Sequence, residues 1–266
     1  MKNIHLSLVL LVLFSLFSLE IIHAQEAKEK KILKVLTYNV HHANPPSKEG
    51  FIDLPAIAKV IKQSGADLVA LQEIDVDTER SGKGINQAAE LGRMTGMNHF
   101  FVKGINYEGG EYGIAILSRF KILEKDSLRL PMKDGVRGEP RVLALTTISP
   151  TKGKKIVFAS THLDLNPETR ILQAEAITNY LKQLKYPAIL GGDFNAIPGT
   201  AEIDIFDQYL TRSSVPNGFT IPVTNPQREI DFIMFKPKSR FKVHKHLIID
   251  EQYASDHLPV YVEFLY

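Results

Sequence analysis

Residues 187–195 read Pro-Ala-Ile-Leu-Gly-Gly-Asp-Phe-Asn, an apolar strand running straight into two glycines, an aspartate and an asparagine. This order puts a carboxylate and an amide at the end of a buried strand, on the rim of the sheet that holds it. Five other segments repeat the arrangement. Asn39 closes Val-Leu-Thr-Tyr-Asn, Glu73 closes Leu-Gln-Glu, and His162 and Asp164 follow Phe-Ala-Ser-Thr. Asp231 lies within Ile-Asp-Phe-Ile, and Asp256-His257 precedes Leu-Pro-Val. A carboxylate at one strand end is ordinarily a turn former or a helix cap. Six polar strand ends in one chain argue for convergence on a single cleft. Gathered carboxylates repel unless a cation neutralises them or their pKa values rise. Carboxylates and amides without any cysteine point to Mg²⁺ or Mn²⁺ rather than zinc.

Around these segments the chain alternates strands and helices. Strands are expected at 32–40, 67–73, 98–103, 112–118, 187–190, 230–235, 241–249 and 258–265. A hairpin is expected from 141–149 and 155–161, turning at Pro150-Thr151-Lys152-Gly153. Helices fit 54–64, capped by Asp53 and closed by Gly65, and also 85–95 and 167–184. Hairpins mixed with crossovers imply an α/β protein with mixed sheets covered by helices.

The first 24 residues carry Lys2, an apolar run from Leu6 to Leu19 and Ile22-His23-Ala24 before Gln25. That order fits a secretory signal peptide, and the run falls short of the roughly 20 residues of a membrane span. The expectation is cleavage after Ala24 and a periplasmic or secreted product, with an uncleaved anchor as the alternative. Residues 25–31 read as a polar leader and 32–266 as one catalytic domain. Apolar content of 44%, a charged fraction of 23% and a net charge of +2 describe an ordinary globular chain. They weigh against tight non-specific nucleic-acid binding, which favours a strong basic bias.

Thr-Tyr-Asn (37–39), Leu-Gln-Glu (71–73), Tyr-Gly-Ile-Ala-Ile-Leu-Ser-Arg (112–119), Ser-Thr-His-Leu-Asp (160–164), Gly-Gly-Asp-Phe-Asn (191–195), Ile-Asp-Phe-Ile (230–233) and Ser-Asp-His (255–257) occur in a telling order. In that order they resemble the endonuclease/exonuclease/phosphatase superfamily, from about residue 33 to the C-terminus. The resemblance implies a four-layer α/β sandwich, two mixed β-sheets packed face to face with helices on the outer faces. It also implies Mg²⁺ or Mn²⁺ held by Glu73 with Asn39, and Asp256 in the metal region. Asp193 would orient or deprotonate the attacking water and Asn195 would hold phosphoryl oxygens. His257 would be the essential histidine, oriented by Asp231, and His162 a second histidine on the phosphate or leaving group. Which of Asp193 and His257 is the base stays open at this level.

Tyr112, Arg137 and Arg141 are candidate substrate contacts. His41 and His42 read as cleft rim or surface, His244 and His246 as solvent-facing, Arg170 as scaffold, and Arg119 as either a structural residue bonding neighbouring loops or a substrate contact. The function implied is metal-dependent hydrolysis of a phosphate ester, small or lipid-linked, by a monomer without an obligate protein partner. A secreted nuclease is the alternative, and a non-catalytic binding module a third reading that intact motifs disfavour. No Gly-x-Ser-x-Gly elbow is present to support a serine esterase.

Overall fold

The computed structural model describes residues 31–266. The proposed signal peptide (1–24) and all but the last residue of the leader (25–31) lie outside the described residues. No helix among the described residues is long and apolar enough to cross a membrane.

Strands β1 (Ile32–Asn39), β2 (Leu68–Val76), β3 (Asn98–Tyr107), β4 (Gly110–Ser118), β11 (Lys242–Ile248) and β12 (Val260–Leu265) form one sheet in the order β11-β12-β1-β2-β4-β3. Strands β5 (Ile122–Arg129), β6 (Val142–Thr151), β7 (Lys154–His162), β8 (Ala188–Asp193), β9 (Thr211–Arg212) and β10 (Asp231–Lys236) form the second, in the order β5-β6-β7-β8-β10-β9. Both are mixed: β1 runs parallel to β2 and β7 parallel to β8, while the remaining pairs are antiparallel.

Helices α1 (Leu54–Ser64) and α2 (Gln87–Thr95) cover the outer face of the first sheet, and α3 (Pro167–Lys182) with α4 (Ala201–Asp207) that of the second. Each cap follows from sequence. The Asp53 carboxylate accepts the Ala56 N–H, Gly65 ends α1 at φ +64, and the Asn166 side chain accepts from Glu168 and Thr169 at the start of α3. The expected four-layer sandwich is the observed fold.

Strand alternation separates the layers. Val35, Leu68, Ala70, Phe158, Ile189 and Ile233 fill the space between the sheets. Val69 and Leu71 pack under α1 and α2, and Ala159, Leu190 and Phe232 under α3 and α4. Gly191 faces the opposite sheet at close range, since a Cβ there would stand 2.9 Å from Ala70 Cβ and 3.1 Å from Thr37 Cβ. The same inward row turns polar at one end. Val35 and Thr37 lead to Asn39, Phe158 and Ser160 to His162, Ile189 and Gly191 to Asp193, and Asp231 precedes Ile233. The site is the hydrophilic end of the inter-sheet layer.

One irregularity matters. Gln72 pairs with Ile114 and Ile74 with Gly113, so Glu73 is the extra residue of a β-bulge, at φ +60. The bulge lets β2 run on to Val76, three residues past its expected end.

Candidate active site

Lateral register lines up three of the expected residues. His162 is the partner of Asp193 across β7–β8, and Asp193 is the partner of Asp231 across β8–β10. Asn39 enters from the opposite sheet and donates from its single Nδ2 to Glu73 Oε1 and to Asp193 Oδ2, both at 3.0 Å. His162 Nε2 stands 3.5 Å and His257 Nε2 3.8 Å from that same Asp193 oxygen. The other oxygen, Oδ1, accepts the Asn195 N–H at 2.8 Å. Asn195 turns through φ +48 and its amide donates to the Leu163 carbonyl. Asp231 Oδ2 accepts from His257 Nδ1 at 2.8 Å and from Thr220 Oγ1 at 2.5 Å, while its Oδ1 is buried without a partner.

This crowding sorts the protonation states. Burial, reinforced by the Asp231 carboxylate opposite, pushes Asp193 up to about 7, against the pull of His257, Asn39 and the Asn195 amide. Burial disfavours charge on His257, yet Asp231, then Asp193 and Asp256, outweigh it and raise its pKa to about 10. His162 moves the other way: burial, then the adjacent Arg141 cation, hold it well below the usual imidazole value. For Glu73, burial opposes ionisation, but His42, His162 and the Asn39 amide hold its pKa far below the ordinary carboxylate range.

Arg141 is buried, with Nη1 3.2 Å from His162 Nδ1 and 3.0 Å from Glu139 Oε1. A guanidinium only donates, so His162 Nδ1 accepts and its proton sits on Nε2, toward Asp193. Tyr112 lines the same recess as Arg141 and His162. Arg137 is exposed on the loop before β6 and makes no hydrogen bond or ion pair among the described residues. Asp164, a strand-end carboxylate by sequence, is a latch for this loop: its Oδ2 accepts the Glu139 N–H at 3.0 Å and its Oδ1 the Asn166 N–H at 2.7 Å. Arg170 is scaffold as expected, bonding Glu202, and Arg119 bonds the Ala66 carbonyl, the structural one of its two readings. His246 departs from its solvent-facing reading, because both ring nitrogens are buried without partners among the described residues.

Two groups of side chains among the described residues bring potential metal-ligating atoms within 4.8 Å of one another: His41, His42 and Glu73; and Asp193, Asp231 and His257. The second is already bonded internally through His257 and Thr220. The first, joined to Asn39, is the better fit to a dication, since Glu73 is held ionised at the cleft mouth. Asp256 belongs to neither group; its carboxylate lies 3.4 Å from the Ser255 hydroxyl, which donates to the Asn39 carbonyl. Thr220 carried no sequence signal; Ser255 opens the Ser-Asp-His motif, but its bond to the Asn39 carbonyl was not legible there.

The sequence profile of the Endonuclease/Exonuclease/phosphatase family matches residues 36–257, which span every residue of the cluster. The chain belongs to the endonuclease/exonuclease/phosphatase family. Solved structures agree in fold. An endonuclease/exonuclease/phosphatase from Beutenbergia cavernae is 22% identical with a TM-score of 0.74, covering 89% of this chain and 72% of its own. A mannosyl-6-phosphatase from Bacteroides thetaiotaomicron is 22% identical with a TM-score of 0.70, covering 88% and 100%. The human Nocturnin catalytic domain, with a bound sulfate anion, is 20% identical with a TM-score of 0.67, covering 89% and 96%. No curated protein matches in a sequence search.

Proposed function

We propose that this member of the family is an exported, divalent-metal-dependent hydrolase of phosphate esters acting on a small or lipid-linked substrate. The observation that carries the reading is the meeting of Asn39, His162, Asp231 and His257 around the single carboxylate of Asp193. Glu73 and Asn39 would hold the dication, which supplies charge neutralisation at the phosphoryl oxygens.

The chain's own residues then divide the work. Asp193, with its pKa near neutrality, accepts a proton from water, whereas His257, kept protonated by Asp231, is a donor. This separation favours Asp193 over His257 as the base. His162 presents Nε2–H, and Asn195 and Arg141 add donors for a phosphoryl oxygen. Tyr112, in the recess beside Arg141, and Arg137, on the loop before β6, would meet the rest of the substrate. The net charge of +2 favours a small ester over a nucleic acid.

The test is a panel of phosphomonoesters and phosphodiesters, headed by sugar phosphates because the same fold serves a mannosyl-6-phosphatase. It is run with the purified protein, with added Mg²⁺ or Mn²⁺ and with chelator. Chelator-sensitive turnover is expected. No turnover of any ester with either metal would overturn the proposal, and turnover confined to DNA or RNA would turn it toward a nuclease.

A further inference from the structure

Directly after Asn39 the chain passes through three consecutive left-handed residues: His41 at φ +47, His42 at φ +43 and Ala43 at φ +62. None is glycine, and Cβ sterics disfavour each. The turn is pinned by backbone bonds from Ala43 to Val40 and from Asn44 to His41, and by Gln87 Nε2 on the His42 carbonyl at 2.7 Å. Its result is two imidazoles, 4.5 Å apart by ring centroids, beside a glutamate that its own bulge aims at the cleft. Two separately strained segments of backbone thus converge on one point.

The hydrogen-bond pattern there suits a metal. His41 Nδ1 lies 2.9 Å from the Asn44 carbonyl, which can only accept, so the ring proton is on Nδ1 and Nε2 keeps its lone pair. Metal-binding histidines are commonly oriented by such a bond from the other ring nitrogen. His42 Nδ1 is buried with no hydrogen-bond partner among the described residues, 3.9 Å from Glu73 Oε2, too long for a hydrogen bond. One ligand atom from each of the three residues falls within 4.8 Å of the others.

We propose that His41 and His42 join Glu73 in a nitrogen-containing metal site, which makes the protein selective for Mn²⁺, Co²⁺ or Zn²⁺ over Mg²⁺. The inference rests on the reading that Glu73 binds the dication of the hydrolase, and narrows which dication that is. Mg²⁺ demands oxygen ligands and gives up water reluctantly, whereas imidazole nitrogen suits the later first-row metals. Two imidazoles and one carboxylate are a known donor set for a zinc-like ion.

The experiment titrates the metal-free, full-length protein with Mg²⁺ and with Co²⁺ by calorimetry, and follows the Co²⁺ visible absorption, which reports nitrogen ligation. The variants are His41→Asn, His42→Asn and Glu73→Gln. Asparagine tolerates the left-handed backbone, and circular dichroism checks the fold. The expected result is Co²⁺ binding at least about tenfold tighter than Mg²⁺, with about tenfold or more of the Co²⁺ affinity lost in each histidine variant and the Mg²⁺ affinity kept. Histidine variants that keep the wild-type preference and the Co²⁺ spectrum overturn this inference alone, provided Glu73→Gln weakens both metals. If Glu73→Gln changes neither, the underlying metal assignment fails and takes this one with it.

Discussion

The guanidinium of Arg141 lies 3.2 Å from Nδ1 of His162 and so dictates which nitrogen of that ring carries the proton. Replacing Arg141 by Met frees the tautomer and removes a cation that depresses the imidazole. The His162 pKa is then expected to rise toward its ordinary value, and turnover to fall about 10²-fold. Nitrogen-15 NMR of the ring and steady-state kinetics measure the two effects. Arg141→Lys restores the charge without the planar fork and is expected to recover only part of the rate.

Asp193 illustrates a site that costs the fold something. Its pKa is raised above that of an unfolded aspartate, so the native state binds more protons between about 4 and 7 and loses stability as pH rises across that window. Asp193→Asn removes this cost. In metal-free protein the variant is expected to match the parent near pH 4 and exceed it above pH 7 by urea denaturation, while activity drops by about 10²–10⁴. Wild-type-like turnover would remove Asp193 from the chemistry.

The His257–Asp231 pair titrates with the same slope in a higher window. A folded pKa of about 10 against 6.5 unfolded means that its stabilisation is complete below pH 6.5 and is lost as pH rises toward 10. Asp231→Asn should lower the His257 pKa and flatten that part of the stability profile. Melting the metal-free protein at several pH values from 6 to 10 checks it; an unchanged slope would show that the pair is not the source.

Close approach of the two sheets at Gly191 gives a purely structural prediction. A Cβ there meets Ala70 Cβ at 2.9 Å and Thr37 Cβ at 3.1 Å, so Gly191→Ala should cost about 1–3 kcal/mol by overpacking. Ala70→Gly in the same chain should return part of that loss. Strict additivity in the double-mutant cycle would mean that the two positions do not touch.

Sequence reading succeeded where burial and periodicity act together. Ile189, Gly191 and Asp193 follow one another at two-residue steps along one strand face, and the apolar row that builds the core also aims the polar end. It failed on β5, whose Glu124, Lys125 and Asp126 lie on an exposed sheet edge where charge guards against aggregation and hides the strand pattern. It also passed over α4, seven residues with too little length to show a stripe. Thr220 reaches Asp231, and Ser255, although part of the Ser-Asp-His motif, reaches the Asn39 carbonyl, only through tertiary folding. The bulge at Glu73 was equally hidden, because backbone register is a property of two strands and not of one.

That bulge ties the chemistry to the core. Without the additional residue, strict alternation would send Ile74 into the space between the sheets and Glu73 under the helices. With it, Ile74 packs beside Val69 and Leu71 beneath α1 and α2, and the carboxylate is expelled to the cleft. A one-residue deletion in β2 would therefore misplace an anchor of the hydrophobic layer and the acidic ligand in a single step.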